Sequence, residues 1–333
     1  MFVAFSFPGA LWAGDGSIES LRREINTIRR NSGLYDPRQY DLLLRVIDAQ
    51  SLTGDFAAAA ADLTYLQRVS ESSYGIDSLR YGRALADVAH WQCRIGQFMQ
   101  ARETFRRSVA LLETNAAKDP LVESLRRFAQ CCLQELAGVG VATSSDSLDF
   151  YRGPIVRSQQ FSPSNPAFRS HVLQYLRMDG EQALQRAVTV SASLDPKLHL
   201  EVLLQTGDWF LAKDYIREAR RFYARAEMLA RAAGAEDTLL VPAQVLYALP
   251  ASALRTRHLA VDDTEESFVE VEFTVRGDGK IVNEKVIDHG PGRSATVETL
   301  AALRAARFRP RMVGGRTQMT DGVRFRQSFR QRK

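Results

Sequence analysis

Cysteine is the first shortage. The chain has three, Cys93, Cys131 and Cys132, an odd set without a CxxC pair or a histidine at zinc-ligand spacing. All three fall within apolar helical patterns, which reads as buried free thiols. A bridge from Cys93 to one of the vicinal pair is the alternative in an oxidising compartment. Histidine is equally sparse: His90, His171, His199, His258 and His289 stand apart, none beside a Cys, Asp or Glu at catalytic spacing. GxSxG, HExxH and phosphate-loop motifs are missing. Gly138-Val139-Gly140 lacks the rest of a nucleotide fingerprint and reads as the C-terminal end of a helix. These absences argue against an enzyme, a resident metal and a cofactor. His90, beside Trp91 on a stretch with Leu85 and Val88, is read as a packing residue.

Long hydrophobic runs are also lacking. The longest apolar stretch is residues 1–13, MFVAFSFPGALWA, well short of the ~20 residues that span a bilayer. Its small residues up to Ala13 read as the core and cleavage region of a secretory signal, which places the chain in the periplasm. A basic n-region is not part of the stretch, since Arg22 is the first basic residue. No membrane span is expected elsewhere.

Charge is unevenly spread rather than scarce. Residues 268–333 hold 14 Lys/Arg against 7 Asp/Glu, leaving 30 against 32 before Phe268 in a chain of net charge +5. A basic tail favours acidic partners. Nucleic acid is disfavoured, because the basic face of the last strand carries no interleaved aromatics.

What the sequence does have is self-similarity. TGDFAAAAADLTYL from Thr53, IGQFMQARETFRRSV from Ile95 and KDYIREARRFYARA from Lys213 align when Gly54, Gly96 and Asp214 are set in register. Five residues on lie Ala59, Ala101 and Ala219; nine on lie Leu63, Phe105 and Tyr223; twelve on lie Leu66, Ser108 and Ala226. That spacing is one face of an α-helix. Helical stretches Tyr40–Leu52, Leu79–Arg94 and Leu198–Ala212 precede the turns. The alanines are read as packing positions, where a small side chain lets paired helices approach. RMDGEQALQRAVTV gives a fourth copy with Met178 as its turn and Ala183, Ala187 and Val190 in phase. The pattern resembles the tetratricopeptide repeat, whose unit of ~34 residues carries small residues at such positions.

At Phe268 the period falls from 3.6 to 2. Val269, Val271, Phe273 and Val275 alternate with polar residues, and Gly277-Asp278-Gly279 signals a hairpin; this turn also accounts for the Arg-Gly-Asp tripeptide at 276–278. A bulged return strand is expected over Lys280–Asp288 and a helix over Thr296–Ala306 with Val297, Leu300, Ala301 and Leu303 toward the sheet. Pro310 ends it. The last strand sets Val323, Phe325 and Phe329 inward and Arg324, Arg326 and Arg330 opposite, a candidate peptide-docking edge.

Strand, turn, strand, helix, Phe308-Arg309-Pro310 and strand resemble the C-terminal domain of the TonB family, carried by Asp278-Gly279, Leu300, Leu303, Phe308, Pro310 and Phe325. That resemblance implies a domain that pairs its last strand with a short peptide, in the best-known members a segment of an outer-membrane receptor. The Tyr-Pro that precedes the first strand in that family stands here as Leu249-Pro250, further upstream.

The expected architecture is mainly α, an α-solenoid of TPR-like helical hairpins followed by a small α+β (ββαβ) TonB C-terminal-like domain. Its boundaries are a signal peptide at 1–13, repeats at 18–138, a linker at 139–165, repeats at 166–240, a linker at 241–267 and the small domain at 268–331. The expected function is that of a non-catalytic periplasmic adaptor binding a protein or peptide. The alternatives are an accessory of TonB-dependent outer-membrane transport and a protein that forms homodimers by pairing strand edges.

Overall fold

Helix starts in this chain are written as side-chain caps. Ser17, Asp55, Ser78 and Asp195 each turn an oxygen onto a backbone N–H two or three residues on, satisfying donors that the first turn leaves open. The computed structural model describes residues 17–53, 55–141, 166–234, 242–246, 264–290 and 293–332. Gly54, Leu249-Pro250 and the segments 1–13 and 142–165 lie outside the described residues. The chain divides into two compact units, one running to Cys131 and one built from Cys132–Arg255 with Glu266–Phe329. It is mainly helical.

In the first unit α1 (Ile18–Ser32) and a short 3-10 turn (Pro37–Gln39) precede α2 (Tyr40–Thr53), α3 (Phe56–Tyr74), α4 (Leu79–Arg94), α5 (Phe98–Thr114) and α6 (Lys118–Val141). Gly138 and Gly140 thus lie inside the last turns of α6. The second unit contains α7 (Pro166–Ser191), α8 (Pro196–Ala212) and α9 (Ile216–Ala232).

The tight turns share one geometry. The residue after each turn donates to the carbonyl five positions back: Asp55 to Gln50, Gln97 to Gln92, Ala117 to Leu112 and Tyr215 to Phe210, at 2.7–3.0 Å. The turn residue itself takes a left-handed φ at Gly96 (85°), Ala116 (51°) and Asp214 (60°). Glycine does this without strain, and Asp is among the few side chains that tolerate it.

Ala59, Ala101 and Ala219 are 0%, 0% and 1% exposed, and the residues four and seven positions after each of them are buried as well. The approach they permit is tightest in α8–α9. A Cβ on Gly207 would sit 2.4 Å from the Tyr223 ring, so only glycine fits. In α4–α5 the Ser108 hydroxyl donates to the Gly82 carbonyl at 2.7 Å, a backbone contact that a larger residue at either position would open. The hairpins are TPR-like.

Two expectations on helices fail. Met178 is not a turn: α7 runs through it without a break, and Met178 is half exposed. Gly180 beside it has a packing role, since a Cβ there would lie 2.0 Å from the Trp209 indole. Glycine is there to admit a ring from α8. The second failure is the helix α10 (Arg293–Ala305), where Val297 is 60% exposed and Ala301 also faces out. Leu303 is buried and Leu300 packs against the same cluster as expected, and Thr299 and Ala306 are buried with them. Leu303, Ala306 and Phe308 enter the core together, and the face they set leaves Val297 and Ala301 at its outer margin.

The sheet follows the alternation more closely. β2 (Thr264–Val275) is central, with β3 (Ile281–His289) on one side and β7 (Thr320–Arg332) on the other. β2 and β3 are antiparallel with two register shifts, and Asn283 takes a left-handed φ of 56° within the bulged strand. Phe273 and Phe308 meet at 5.0 Å between centroids, and Phe308 meets Phe325 edge-on. Short strands outside the expected pattern complete this unit. β1 (Ala243–Leu246), inside the segment expected as the linker 241–267, pairs antiparallel with β4 (Arg307–Arg309), and β5 (Arg311–Val313) with β6 (Arg316–Gln318).

An arginine in place of Ala101 or Ala219 is expected to destabilise the chain by at least the ~1–3 kcal/mol typical of overpacking. Thermal unfolding followed by circular dichroism checks this, and an unchanged midpoint for both would remove the packing role of these alanines.

Candidate functional site

Helices α2, α4 and α6 meet along a row of polar and aromatic side chains. On α4, Asp87, His90 and Arg94 fall at i, i+3 and i+7, one face of the helix. Tyr40 at the start of α2 donates its hydroxyl to Asp87 at 2.7 Å. Arg127 of α6 reaches Asp87 at 2.8 Å and Glu123 at 2.7 Å. Arg94 spans back to Asp48 of α2 at 3.4 Å while its guanidinium lies 4.1 Å from the Trp91 ring centroid. The His90 ring meets Trp91 edge-on. Asp87 and Arg127 each keep a third of their side chain exposed, so the row is open along part of its length.

Burial shapes the charges here. Desolvation pushes the Tyr40 phenol up, and the Asp87 carboxylate adds to it. Desolvation first, then the Arg127 and Arg94 guanidinia, press the His90 imidazole down to about 4 against the weaker pull of Asp87 and Glu123. Burial would lower Arg127, but Asp87 and Glu123 more than offset it and leave the guanidinium raised. Such a face has donors and acceptors fixed in place, and it carries a neutral imidazole at neutral pH. It can hold a polypeptide by hydrogen bonds and ring contacts; it has no nucleophile paired with a base.

On the sheet, the candidate arginines are placed by strand alternation. Arg324 bonds Glu272 of β2 at 3.2 Å. Arg326 lies with its guanidinium 3.6 Å from the centroid of the Phe268 ring. The side chain of Arg330 lies outside the described residues. Side chains of a strand stand on its two faces, so Arg324 and Arg326 flank the outer strand β7 and reach across β2. The hydrogen-bonding edge itself is backbone.

Sequence reasoning missed the junction of α8–α9 with the short strands. Arg309 of β4 makes a forked ion pair with Asp208 of α8, its Nε 2.8 Å from one carboxylate oxygen and its second nitrogen on the other. Tyr223 of α9 donates to the same Asp208 at 2.8 Å. Burial lowers the Arg309 guanidinium, but Asp208 outweighs it and the group ends well above its usual range. Burial and then Asp208 push the Tyr223 phenol up. Arg307 of β4 forks onto Asp214 at 2.9 and 3.1 Å, pinning the residue that carries the left-handed turn. Glu227 of α9 accepts from the N–H groups of Gly314 and Gly315, both at 2.6 Å, in the turn between β5 and β6. The Phe308 N–H donates to the Gly279 carbonyl at 2.9 Å, and Gly279 sits where a Cβ would strike Leu211 of α8. In the sequence Asp214 marks a turn, and nothing local distinguishes Asp208 or Glu227. Their partners stand 87 to 101 residues further along the chain, beyond the reach of any local pattern.

Cys93, Cys131 and Cys132 are buried, and none is in a disulfide among the described residues. Among the described residues no His, Cys, Asp and Glu converge to hold a metal ion, and no helix is long and apolar enough to cross a membrane.

No protein-family model matches the chain, and no curated protein does. Solved structures that resemble it include nearly identical TPR-like repeats assigned to a kinesin light chain of Podosopora anserina, at 12% identity and a TM-score of 0.46, covering 65% of this chain and 86% of that one. A single-substitution variant of those repeats gives 11% and 0.47 with the same coverage. BtubC from P. vanneervenii gives 17% and 0.31, covering 66% of this chain and 93% of that one. The description of the hairpins as TPR-like rests on their internal geometry.

Two outcomes follow from these contacts. Because His90 is neutral in the fold and titrates near 6.5 when unfolded, its contribution to stability is present above about pH 6.5 and is lost as pH falls toward 4. His90→Gln should flatten the fall in melting temperature between about pH 7 and 4.5; equal falls in both proteins would refute the assignment. Arg309→Met leaves Asp208 largely buried and uncompensated and should cost ~3–5 kcal/mol in urea unfolding. The double variant with Asp208→Leu should recover part of that loss, and no recovery would mean that the pair is not coupled.

Proposed function

We propose that the protein is a non-catalytic adaptor that holds a partner polypeptide on the first helices of its hairpins. The observation that carries this is the row Tyr40, Asp87, His90, Arg94 and Arg127, contributed by α2, α4 and α6, in which a hydrogen bond and an ion pair join Tyr40 and Arg127 to Asp87. Fixed donors and acceptors beside aromatic rings give direction to a bound chain without a cost of ordering them on binding. A partner segment laid across α2, α4 and α6 would find a carboxylate, an imidazole and two guanidinia in sequence.

The second docking element is the sheet. An outer strand, β7, of 13 residues offers a long edge for an extended segment to extend the sheet by main-chain hydrogen bonds. The order β2, turn at Gly279, β3, α10 and β7 supports the resemblance to the TonB-family C-terminal domain, and with it a partner strand from an envelope protein. An exported, periplasmic setting is part of this reading, supported by the apolar stretch 1–13.

Peptides selected on the intact protein from a random display library should include a set whose affinity drops roughly tenfold or more with Arg127→Ala while circular dichroism stays unchanged. A second set should slow amide exchange in β7. Selected peptides that bind both proteins equally and leave β7 exchange untouched would remove the adaptor role. Cell fractionation of a tagged chain tests the compartment, and recovery in the cytoplasm would end the periplasmic reading.

A further inference from the structure

One exposed face of the chain is charged with a single sign. On α9, Arg217, Arg221 and Arg225 fall at i, i+4 and i+8, with Arg220 beside them, and all four are exposed. None makes an ion pair among the described residues. Glu218, half buried on the same helix, makes none either. The buried Glu227 faces the other way, held by Gly314, Gly315 and Arg231. Only Arg225 has a neighbour of note, with its guanidinium 5.6 Å from the centre of the Phe222 ring.

The repeat itself shows that the fold does not require this row. In the register that aligns Asp214 with Gly96 and Gly54, the positions of Arg217, Arg220, Arg221 and Arg225 hold Met99, Arg102, Glu103 and Arg107 in α5, and Ala57, Ala60, Ala61 and Tyr65 in α3. An equivalent helix is built with no arginine there at all. In α5 the acid Glu103 pairs with Arg106 at 3.6 Å; α9 replaces that acid with Arg221. Like charges four residues apart repel one another on a helix. The row therefore opposes the stability of α9, and an anionic partner would relieve it.

We infer that this face of α9 binds an acidic polypeptide segment, at a surface separate from the first-helix row and the sheet edge. Residues four apart rise about 6 Å along a helix, and alternate residues of an extended chain lie about 6.6–6.8 Å apart. A strand with a carboxylate at every second position thus meets Arg217, Arg221 and Arg225 in turn. Each guanidinium can fork onto its carboxylate, which a planar donor set does well. A bilayer fits less well. The exposed apolar side chains, Tyr215 and Met228, stand only at the two ends of the row, and Phe222 between them is stacked on Phe210 at 5.5 Å. The same stacking leaves no open ring for a nucleobase.

The test uses the full chain and a labelled peptide of alternating glutamate and serine, read by fluorescence anisotropy at low salt. The triple variant Arg217→Gln, Arg221→Gln, Arg225→Gln should bind roughly tenfold or more weakly and should melt no lower than the parent. Arg221→Glu, which restores the residue type of α5, should also weaken binding and raise the melting temperature. Equal peptide affinity in parent and triple variant would overturn the proposal. So would a melting temperature that falls with neutralisation, or phosphatidylserine vesicles or oligothymidylate binding through these arginines where the peptide does not.

Discussion

The structure depends on how closely two helices can approach across a short turn. Where Gly207 faces Tyr223, and where Ser108 reaches the Gly82 carbonyl, the helix axes come near enough for a side chain to touch backbone. That approach needs a small residue on one partner and a larger one on the other, and it needs the turn to reverse the chain within a few residues. Both conditions appear together. The residue after the left-handed one donates to the carbonyl five positions back, and the buried alanine follows five positions after the left-handed Gly96 and Asp214. Apolar burial then does the rest, at roughly 25 cal/mol per Å² removed from water. The row lies on a side of α2, α4 and α6 that this packing leaves partly uncovered.

Much of this was legible because it is local. Ala59, Ala101 and Ala219 share a spacing with their larger followers, and a spacing of four and seven residues has one meaning on a helix. The alternation from Val269 to Val275 and the glycine at 279 are equally local. The misread elements are those where one residue type serves two purposes. Gly180 looks like a break until the Trp209 ring is placed against it. Val297 and Ala301 look like core until Leu303, Ala306 and Phe308 set the buried face. The row on α2, α4 and α6 was out of reach for another reason: Asp87 and Arg127 are 40 residues apart, and only the packing of successive helices brings them together.

The junction of the last hairpin with the short strands shows what non-local contacts add. In a solenoid the end of the array exposes apolar surface and needs a polar covering. Here Met312 of β5 and Val245 of β1 enter the same buried cluster as Leu203, Leu211 and Tyr223. The strands occupy the place that a further hairpin would take. Asp208, Asp214 and Glu227 hold that cover at three points, two by forked arginines and one by paired backbone N–H groups. Buried ion pairs offset their desolvation only when the geometry is good, and the added phenol of Tyr223 supplies the extra hydrogen bond that Asp208 needs.

A cover of this kind constrains where partners can bind. The apolar side of α8–α9 is taken by the strands, so on the proposed reading a ligand of this unit would use an outer strand of the sheet, such as β7, or the exposed side of α9. Those two places differ in what they read. A strand edge recognises backbone and accepts many sequences, whereas a row of arginines at helical spacing recognises the placement of carboxylates. With the first-helix row in the other unit, the chain has three surfaces with separate chemistry, each produced by the side of an element that packing leaves uncovered. Among the described residues the polar groups are strung along helices or tied to one another across a junction.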